Sequence, residues 1–219
     1  MKPKVAILID GGFFLKRYNS LYTGAESHTP EILAKNICKA ALKHVPADYV
    51  LYRIFYYDCS PIGKRVQNPI SKKSVDFSKT EVYKQRLALF EELKKKRKFA
   101  LRLGQIRDSG AWQVYPAKIK ALLKGEIAFN EITANDIFYE MRQKGIDMKI
   151  GVDIASLALK KQVNQIVLIS GDEDFVPASK LARREGVDFI LDPLWNPVNP
   201  DLFEHVDGLN STSPKPAKH

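Results

Sequence analysis

Two apolar runs in this chain each lead to an aspartate at the point where a strand would end. Val5-Ala6-Ile7-Leu8-Ile9 leads into Asp10, and Ile166-Val167-Leu168-Ile169 leads through Ser170-Gly171 into Asp172, with Asp174 two residues further on. Short continuous runs rich in Val and Ile suit strands covered on both faces of a parallel sheet. In such sheets, ligands gather beyond the carboxyl ends of the strands. A third acid, Asp153, opens the helical pattern Asp153–Gln162 just before the second run. Carboxylates converging on one sheet edge repel each other unless cations sit between them. Hard oxygen donors select Mg2+ or Mn2+ over zinc, so the pattern points to metal-dependent phosphodiester chemistry.

Each acid also has a plainer local role. Asp10 before Gly11-Gly12 suits a turn or a helix cap, and Asp172 and Asp153 suit helix N-caps. Asp174 suits the positive end of a helix dipole. The combination is more specific than any member, because three separate segments supply acids to one expected edge.

The rest of the chain alternates in pattern. Strands are predicted at Val5–Ile9, Asp48–Tyr57, Ala100–Ile106, Gln165–Ile169 and Val187–Leu191, with a short one at Asp147–Ile150. Helices are predicted from Pro30 with Thr29 as N-cap, over Glu81–Phe99, over Thr133–Lys144 closed by Gly145, over Asp153–Gln162, and over Val176–Glu185. Alternation of this kind indicates an α/β fold of three layers around a central, mainly parallel sheet. Residues 59–80, with Pro61, Gly63, Pro69, Lys64, Arg65, Lys72, Lys73 and Lys79, read as a basic loop inserted into a single domain spanning 1–207. The Ser-, Pro- and Lys-rich tail 208–219 reads as disordered.

The 219 residues carry a formal net charge of +10. That excess favours polyanionic partners without selecting one. Cys38 and Cys59 imply neither a disulfide framework nor a zinc site. No apolar stretch is long enough for a signal core or a membrane span, so a cytoplasmic protein without membrane contact is expected. His28, His44, His205 and His219 have no metal or catalytic spacing. Lys64, Arg65, Lys72 and Lys73 are candidate phosphate contacts, since they follow Asp58 at a predicted strand end. Lys94–Lys98 reads as a solvated helix end. Tyr18, Tyr22 and Trp112 are candidates for base stacking, with the core as their commoner place.

Three stretches together resemble the NYN domain: Ile7-Leu8-Ile9-Asp10-Gly11-Gly12-Phe13, then Lys144-Gly145-Ile146-Asp147 through Gly151-Val152-Asp153-Ile154-Ala155, then Leu168-Ile169-Ser170-Gly171-Asp172-Glu173-Asp174-Phe175-Val176-Pro177. More narrowly, they resemble its bacterial LabA-like branch, which is similar to the PIN nucleases. The resemblance implies a PIN-like (Rossmannoid) domain and a Mg2+- or Mn2+-dependent ribonuclease centre. Its acids fall on Asp10, Asp153, Asp172 and Asp174, with Asp147 at a frequently acidic position of less clear role. The chain departs from the common pattern at Phe13 and Phe14, where many members carry Asn in Asp-Gly-x-Asn.

Two functions follow. One is a metal-dependent nuclease, chiefly a ribonuclease, acting on RNA, or on DNA. The other is a nucleic-acid-binding or regulatory module that keeps the fold with little or no activity. A homo-oligomer is compatible with either. Gly12 stands two residues beyond Asp10, where a haloacid-dehalogenase-type phosphatase needs an acid. Gly11-Gly12 does not extend to a dinucleotide-binding Gly-x-Gly-x-x-Gly.

Overall fold

The computed structural model describes residues 2–216. From the amino end, β1 (Lys4–Asp10) leads to α1 (Gly11–Leu21), α2 (Pro30–Leu42), β2 (Val50–Cys59) and a hairpin of β3 (Arg65–Gln67) and β4 (Ser74–Asp76). Then come α3 (Glu81–Lys94), β5 (Phe99–Val114), α4 (Pro116–Leu123), β6 (Ile137–Lys144), α5 (Ile146–Leu159) and β7 (Gln165–Ile169). The chain continues through α6 (Val176–Arg184), β8 (Asp188–Asp192), α7 (Pro200–Glu204) and β9 (Gly208–Leu209). Seven strands form one sheet in the order β6-β5-β2-β1-β7-β8-β9. Every neighbouring pair in it is parallel except β5–β6.

Both faces of the sheet are covered, which is why β1 and β7 are apolar without alternation. Val5, Ile7 and Ile9 point into a core shared with α1, α2 and α3. Ala6 and Leu8 point into a second core shared with α5 and α6. All five are fully buried. The same division runs along β2, where Ile54 and Tyr56 join the first core and Phe55 and Tyr57 the second. The expected α/β fold with a central, mainly parallel sheet is the one observed. The helix start at Thr29-Pro30 is also observed, with Thr29 Oγ1 accepting from Ile32 N at 3.3 Å.

Residues 133–144 and 146–159 depart from expectation. The helix predicted over Thr133–Lys144 is instead β6, antiparallel to β5 and matched from Ile137↔Val114 to Lys144↔Gln105. Glu140-Met141-Arg142-Gln143-Lys144 has helical propensity, but the open flank of β5 supplies ladder partners that outweigh it. Gly145 does not close a helix. With φ at +79°, it turns the chain out of β6 and caps the start of α5. The strand predicted at Asp147–Ile150 is the first turn of that helix. Its buried positions Ile146, Ile150, Ile154 and Leu157 follow helical spacing. Asp153 therefore lies inside α5 rather than at its opening.

Two further segments are more ordered than predicted. Within residues 59–80, β3 and β4 pair antiparallel, and Val66 and Asn68 are buried. Asn68 Oδ1 holds the turn by accepting from Ile70 N and Ser71 N, each at 3.0 Å. In the expected disordered tail, residues 208–213 are tied to the domain, with Ser213 buried. β9 pairs with β8, and Thr212 Oγ1 donates to Ala40 O at 2.9 Å. The small polar side chains of Ser211 and Thr212, which suggested disorder, serve as hydrogen-bond partners here. Residues 217–219, including His219, lie outside the described residues. No helix among those described is long and apolar enough to cross a membrane.

The tail is anchored at Asp192, which is fully buried at the end of β8. Its carboxylate accepts from Leu194 N and Ser211 Oγ, each at 2.8 Å, and lies 2.9 Å from His44 Nε2. Asp192→Ala strands those partners without an acceptor and is expected to cost about 3 kcal/mol in urea unfolding. Asp192→Asn, which still accepts, is expected to cost less. Equal losses would show that the negative charge of Asp192, which both variants remove, holds the tail rather than its volume or its remaining acceptor.

Candidate functional site

The parallel register fixes where the acids emerge. β1 pairs with β7 as far as Ile9↔Ile169 and with β2 as far as Asp10↔Tyr57. Asp10, the Ser170–Asp174 turn and Asp58 consequently share the carboxyl edge of the three central strands. Asp10 caps α1, its Oδ1 accepting from Phe13 N at 3.0 Å. Its Oδ2 accepts from Ser170 Oγ at 3.5 Å. Asp172 caps the single turn Glu173–Phe175, its Oδ1 accepting from Asp174 N at 3.0 Å. Asp174 and Glu173 are exposed.

The glycines in these motifs are required by close packing. A Cβ on Gly171 would fall 2.8 Å from the ring of Phe13. Phe13 thus covers the Ser170–Asp172 turn, while Phe14 is fully buried in the core. A Cβ on Gly11 would collide with the Tyr56 ring. Between the turn and α1 lies an open basin of about 470 Å³, lined by Asp10, Phe13, Lys16, Asp172, Glu173 and Asn199 among others.

The charges of these acids are felt mutually. Burial pushes the Asp10 carboxyl above its usual range, and the negative charges of Asp147 and Asp58 push it the same way. Asp147, exposed in the first turn of α5, is also raised. Partial desolvation is the main cause, followed by the charges of Asp172 and Asp174. The charge of Asp147 thus acts on Asp10, and those of Asp172 and Asp174 act on Asp147, along one edge of the sheet.

Asp153 is not part of this group. It lies six residues along α5 from Asp147, roughly 9 Å down the axis. Its Oδ2 accepts from Tyr57 Oη at 2.8 Å and Arg102 Nε at 3.0 Å. Its charge is matched by Arg102 on the α5 face of the sheet. The Asp153 carboxylate and burial together push the Tyr57 hydroxyl far up, burial contributing more.

Asp58 was not among the sequence candidates. It is 1% exposed and ion-paired with Arg86 of α3, and it also accepts from Cys59 N at 2.7 Å. Burial raises its carboxyl while Arg86 opposes the rise. Its sequence signal was an acid closing an apolar strand, as at Asp10. Nothing near Arg86 marked it as the partner.

Among the described residues, no group of three or more His, Cys, Asp or Glu side chains forms a ready-made metal cage. The donor chemistry nevertheless fits a hard cation. The converging groups are carboxylates with no thiol or imidazole among them, and Mg2+ commonly uses one or two carboxylates and keeps its waters.

The basic and aromatic candidates are distributed differently. Lys64 is engaged by Asp108 and by Tyr139 Oη at 3.0 Å. Arg65, Lys72 and Lys73 are exposed on the β3–β4 hairpin. Tyr18 is buried, stacked on Tyr22 at 4.6 Å and hydrogen-bonded to His28 and Asn36. Trp112 stands edge-on to Tyr139 at 5.5 Å. The cations at the end of α3 pair along the surface, Lys94 with Glu91 and Lys95 with Glu92.

A raised Asp10 carboxyl means that the fold favours its neutral form. Its unfavourable effect on stability therefore develops as pH rises from the usual carboxylate range through the raised value. Asp10→Asn keeps the cap to Phe13 N and removes the charge. In EDTA at pH 7 its melting temperature is expected to exceed wild type by about 2–4 °C, corresponding to about 1 kcal/mol for a domain of this size. The gap should close as pH falls toward 4. A less stable Asn variant at pH 7 would show that the Asp10 charge is not under repulsion.

The NYN domain family model matches residues 88–195, from α3 to the turn after β8. That range includes Asp147, Asp153, Asp172 and Asp174 and leaves out Asp10 and Asp58. A comparison with curated proteins returned no match. Among solved structures, a protein of unknown function from Vibrio parahaemolyticus is 14% identical, with 95% of this chain and 91% of that one covered and a TM-score of 0.45. That likeness carries no argument. The domain match, joined to a mainly parallel sheet with acids at its carboxyl edge, supports the NYN family, which is PIN-like and generally nuclease-like.

Proposed function

We propose that this chain is a divalent-metal-dependent nuclease of the LabA-like NYN branch, acting on RNA and hydrolysing phosphodiester bonds at the edge formed by β1 and β7. The observation that carries the proposal is the parallel register that delivers Asp10 and the Ser170–Asp174 turn to one sheet edge, where Asp10 Oδ2 accepts from Ser170 Oγ at 3.5 Å. Acids held in mutual repulsion on separate elements are destabilising unless a cation is bound. The stretch Ser170-Gly171-Asp172-Glu173-Asp174-Phe175-Val176-Pro177 supports the branch.

In this reading, Asp10, Asp147 and Asp172 would hold Mg2+ or Mn2+, and the exposed Asp174 would orient a water. Asp153 is a positioning residue that fixes α5 against β5 through Arg102. When bound, the ion lowers the pKa of a coordinated water and offsets charge on the phosphodiester. Lys16 borders the basin and supplies positive charge near the scissile phosphate. Arg65, Lys72 and Lys73 would contact phosphates farther along the strand, giving affinity without sequence readout.

A second reading, a binding module with little activity, draws on the lack of a ready-made cage among the described residues. Cleavage of unstructured RNA in Mg2+ or Mn2+ separates the two. Asp172→Asn and Asp147→Asn are expected to lose at least about 100-fold in rate, and Asp153→Asn to stay within about tenfold of wild type. Wild-type rates from Asp172→Asn would rule out the mechanism. A larger loss in Asp153→Asn than in Asp147→Asn would restore Asp153 to the centre. RNA binding with no cleavage of RNA or DNA by the wild type would favour the module.

A further inference from the structure

A second cavity of about 350 Å³ lies beside the acidic edge, between β2, α3 and the β5–β6 pair. Its apolar lining includes Ile62, Phe77, Val82, Tyr83, Ile106 and Met141, and its polar groups include Asp58, Arg86 and Gln143. This is the composition of a small-molecule site, apolar walls with a few placed polar groups, and the volume lies within the range of such sites.

The cavity and the acidic basin are neighbours. A Cβ on Gly12 would lie 3.3 Å from Gln143 Oε1 and 3.4 Å from Asp10 Oδ1. Gln143 lines the cavity and Asp10 lines the basin. Asp58, which lines the cavity, directly follows Tyr57, the register partner of Asp10. A group joined by a short covalent link to a phosphate over Asp10 would therefore reach this cavity.

The charges in the cavity select among such groups. Arg86 uses one terminal nitrogen on Asp58, and its other N–H donors have no protein acceptor among the described residues. The Arg86–Asp58 pair fixes the guanidinium beside aromatic and aliphatic walls. A planar ring with two adjacent acceptors fits this arrangement. Arginine binds the O6 and N7 of guanine in that bidentate manner, whereas adenine places an amino donor where O6 would be. Tyr83 and Phe77 offer aromatic surface against which an unpaired base can stack.

We propose that this cavity is a nucleobase pocket, selective for guanine, that seats the base next to the phosphodiester held at the acidic edge. The proposal rests on the nuclease reading for its choice of occupant. It gives that site a base preference that the phosphate contacts alone would not supply.

The test uses the full chain in Mg2+, with guanosine monophosphate, adenosine monophosphate and ribose 5-phosphate, none of them a phosphodiester, titrated by calorimetry. Guanosine monophosphate is expected to bind about tenfold more tightly than adenosine monophosphate, with ribose 5-phosphate weakest. Val82 is 71% exposed at the wall, so Val82→Trp should fill the cavity without disturbing the core and abolish the preference. Arg86→Lys keeps a cation for Asp58 but loses the fork, and should bring the two nucleotides to similar affinity.

Equal binding of all three ligands, no binding of guanosine monophosphate, or a preference that survives Val82→Trp would overturn the pocket. A protein that cleaves RNA yet shows no base preference fails the pocket alone. A protein that prefers guanosine monophosphate yet cleaves nothing supports the pocket and fails the nuclease reading alone.

Discussion

Parallel pairing of β1 with both β2 and β7 is the constraint on which the rest of the molecule depends. Because these three strands run the same way in close register, their carboxyl ends open on one side. Each connection must then return across a face of the sheet, which places α1–α3 over one side and α5–α6 over the other. Burial on both faces removes the alternation usual in strands and leaves polar residues only where the strands end. An acid that directly follows such a strand is thus forced to the edge, and several strands deliver acids to the same place.

That concentration of negative charge works against the fold. Two of the edge acids respond in different ways. Asp58 is neutralised internally by Arg86, at the cost of burying an ion pair whose net contribution to stability is small. Among the described residues Asp10 has no ion-pair partner, and its carboxyl is raised by burial and by its neighbours. Asp147 is raised for similar reasons. The molecule therefore contains both a satisfied and an unsatisfied acid within one edge, and only the unsatisfied set has unspent electrostatic energy for a ligand. Arg86 serves a further purpose in this scheme. By compensating Asp58, it keeps a polar group in an apolar cavity without adding to the net charge there.

The legible parts of the structure were those in which burial and local pattern agree. β1 and β7 could be read because a strand covered on both faces has an unambiguous apolar signature. The cap at Thr29-Pro30 could be read because its partners are only a few residues away. β6 could not, since its local propensity is helical and only pairing with β5, formed from residues 105–114, makes it a strand. That error displaced the start of α5, and with it the role of Asp153. Arg86 was hidden for a similar reason, being 28 residues from Asp58 with no periodic link to it. The tail was misjudged because composition records polarity, whereas its order comes from buried Asp192, an acceptor supplied by a different strand.

The contrast between Asp147 and Asp153 shows how helix geometry separates two acids that a sequence motif presents together. They stand six residues apart on α5, about one and two-thirds turns, so they point about 120° apart around the helix and lie at different depths along the sheet. The first turn meets the carboxyl edge, where the nearest charges are other acids. The deeper position meets β2 and β5, where Arg102 and Tyr57 offer donors. An acid at the first position has negative neighbours to be bridged, while an acid at the second is already matched. The Asp153–Arg102 pair ties α5 to the strand two places from β1. Asp153 thus serves the packing of α5 on β2 and β5, through Tyr57 and Arg102.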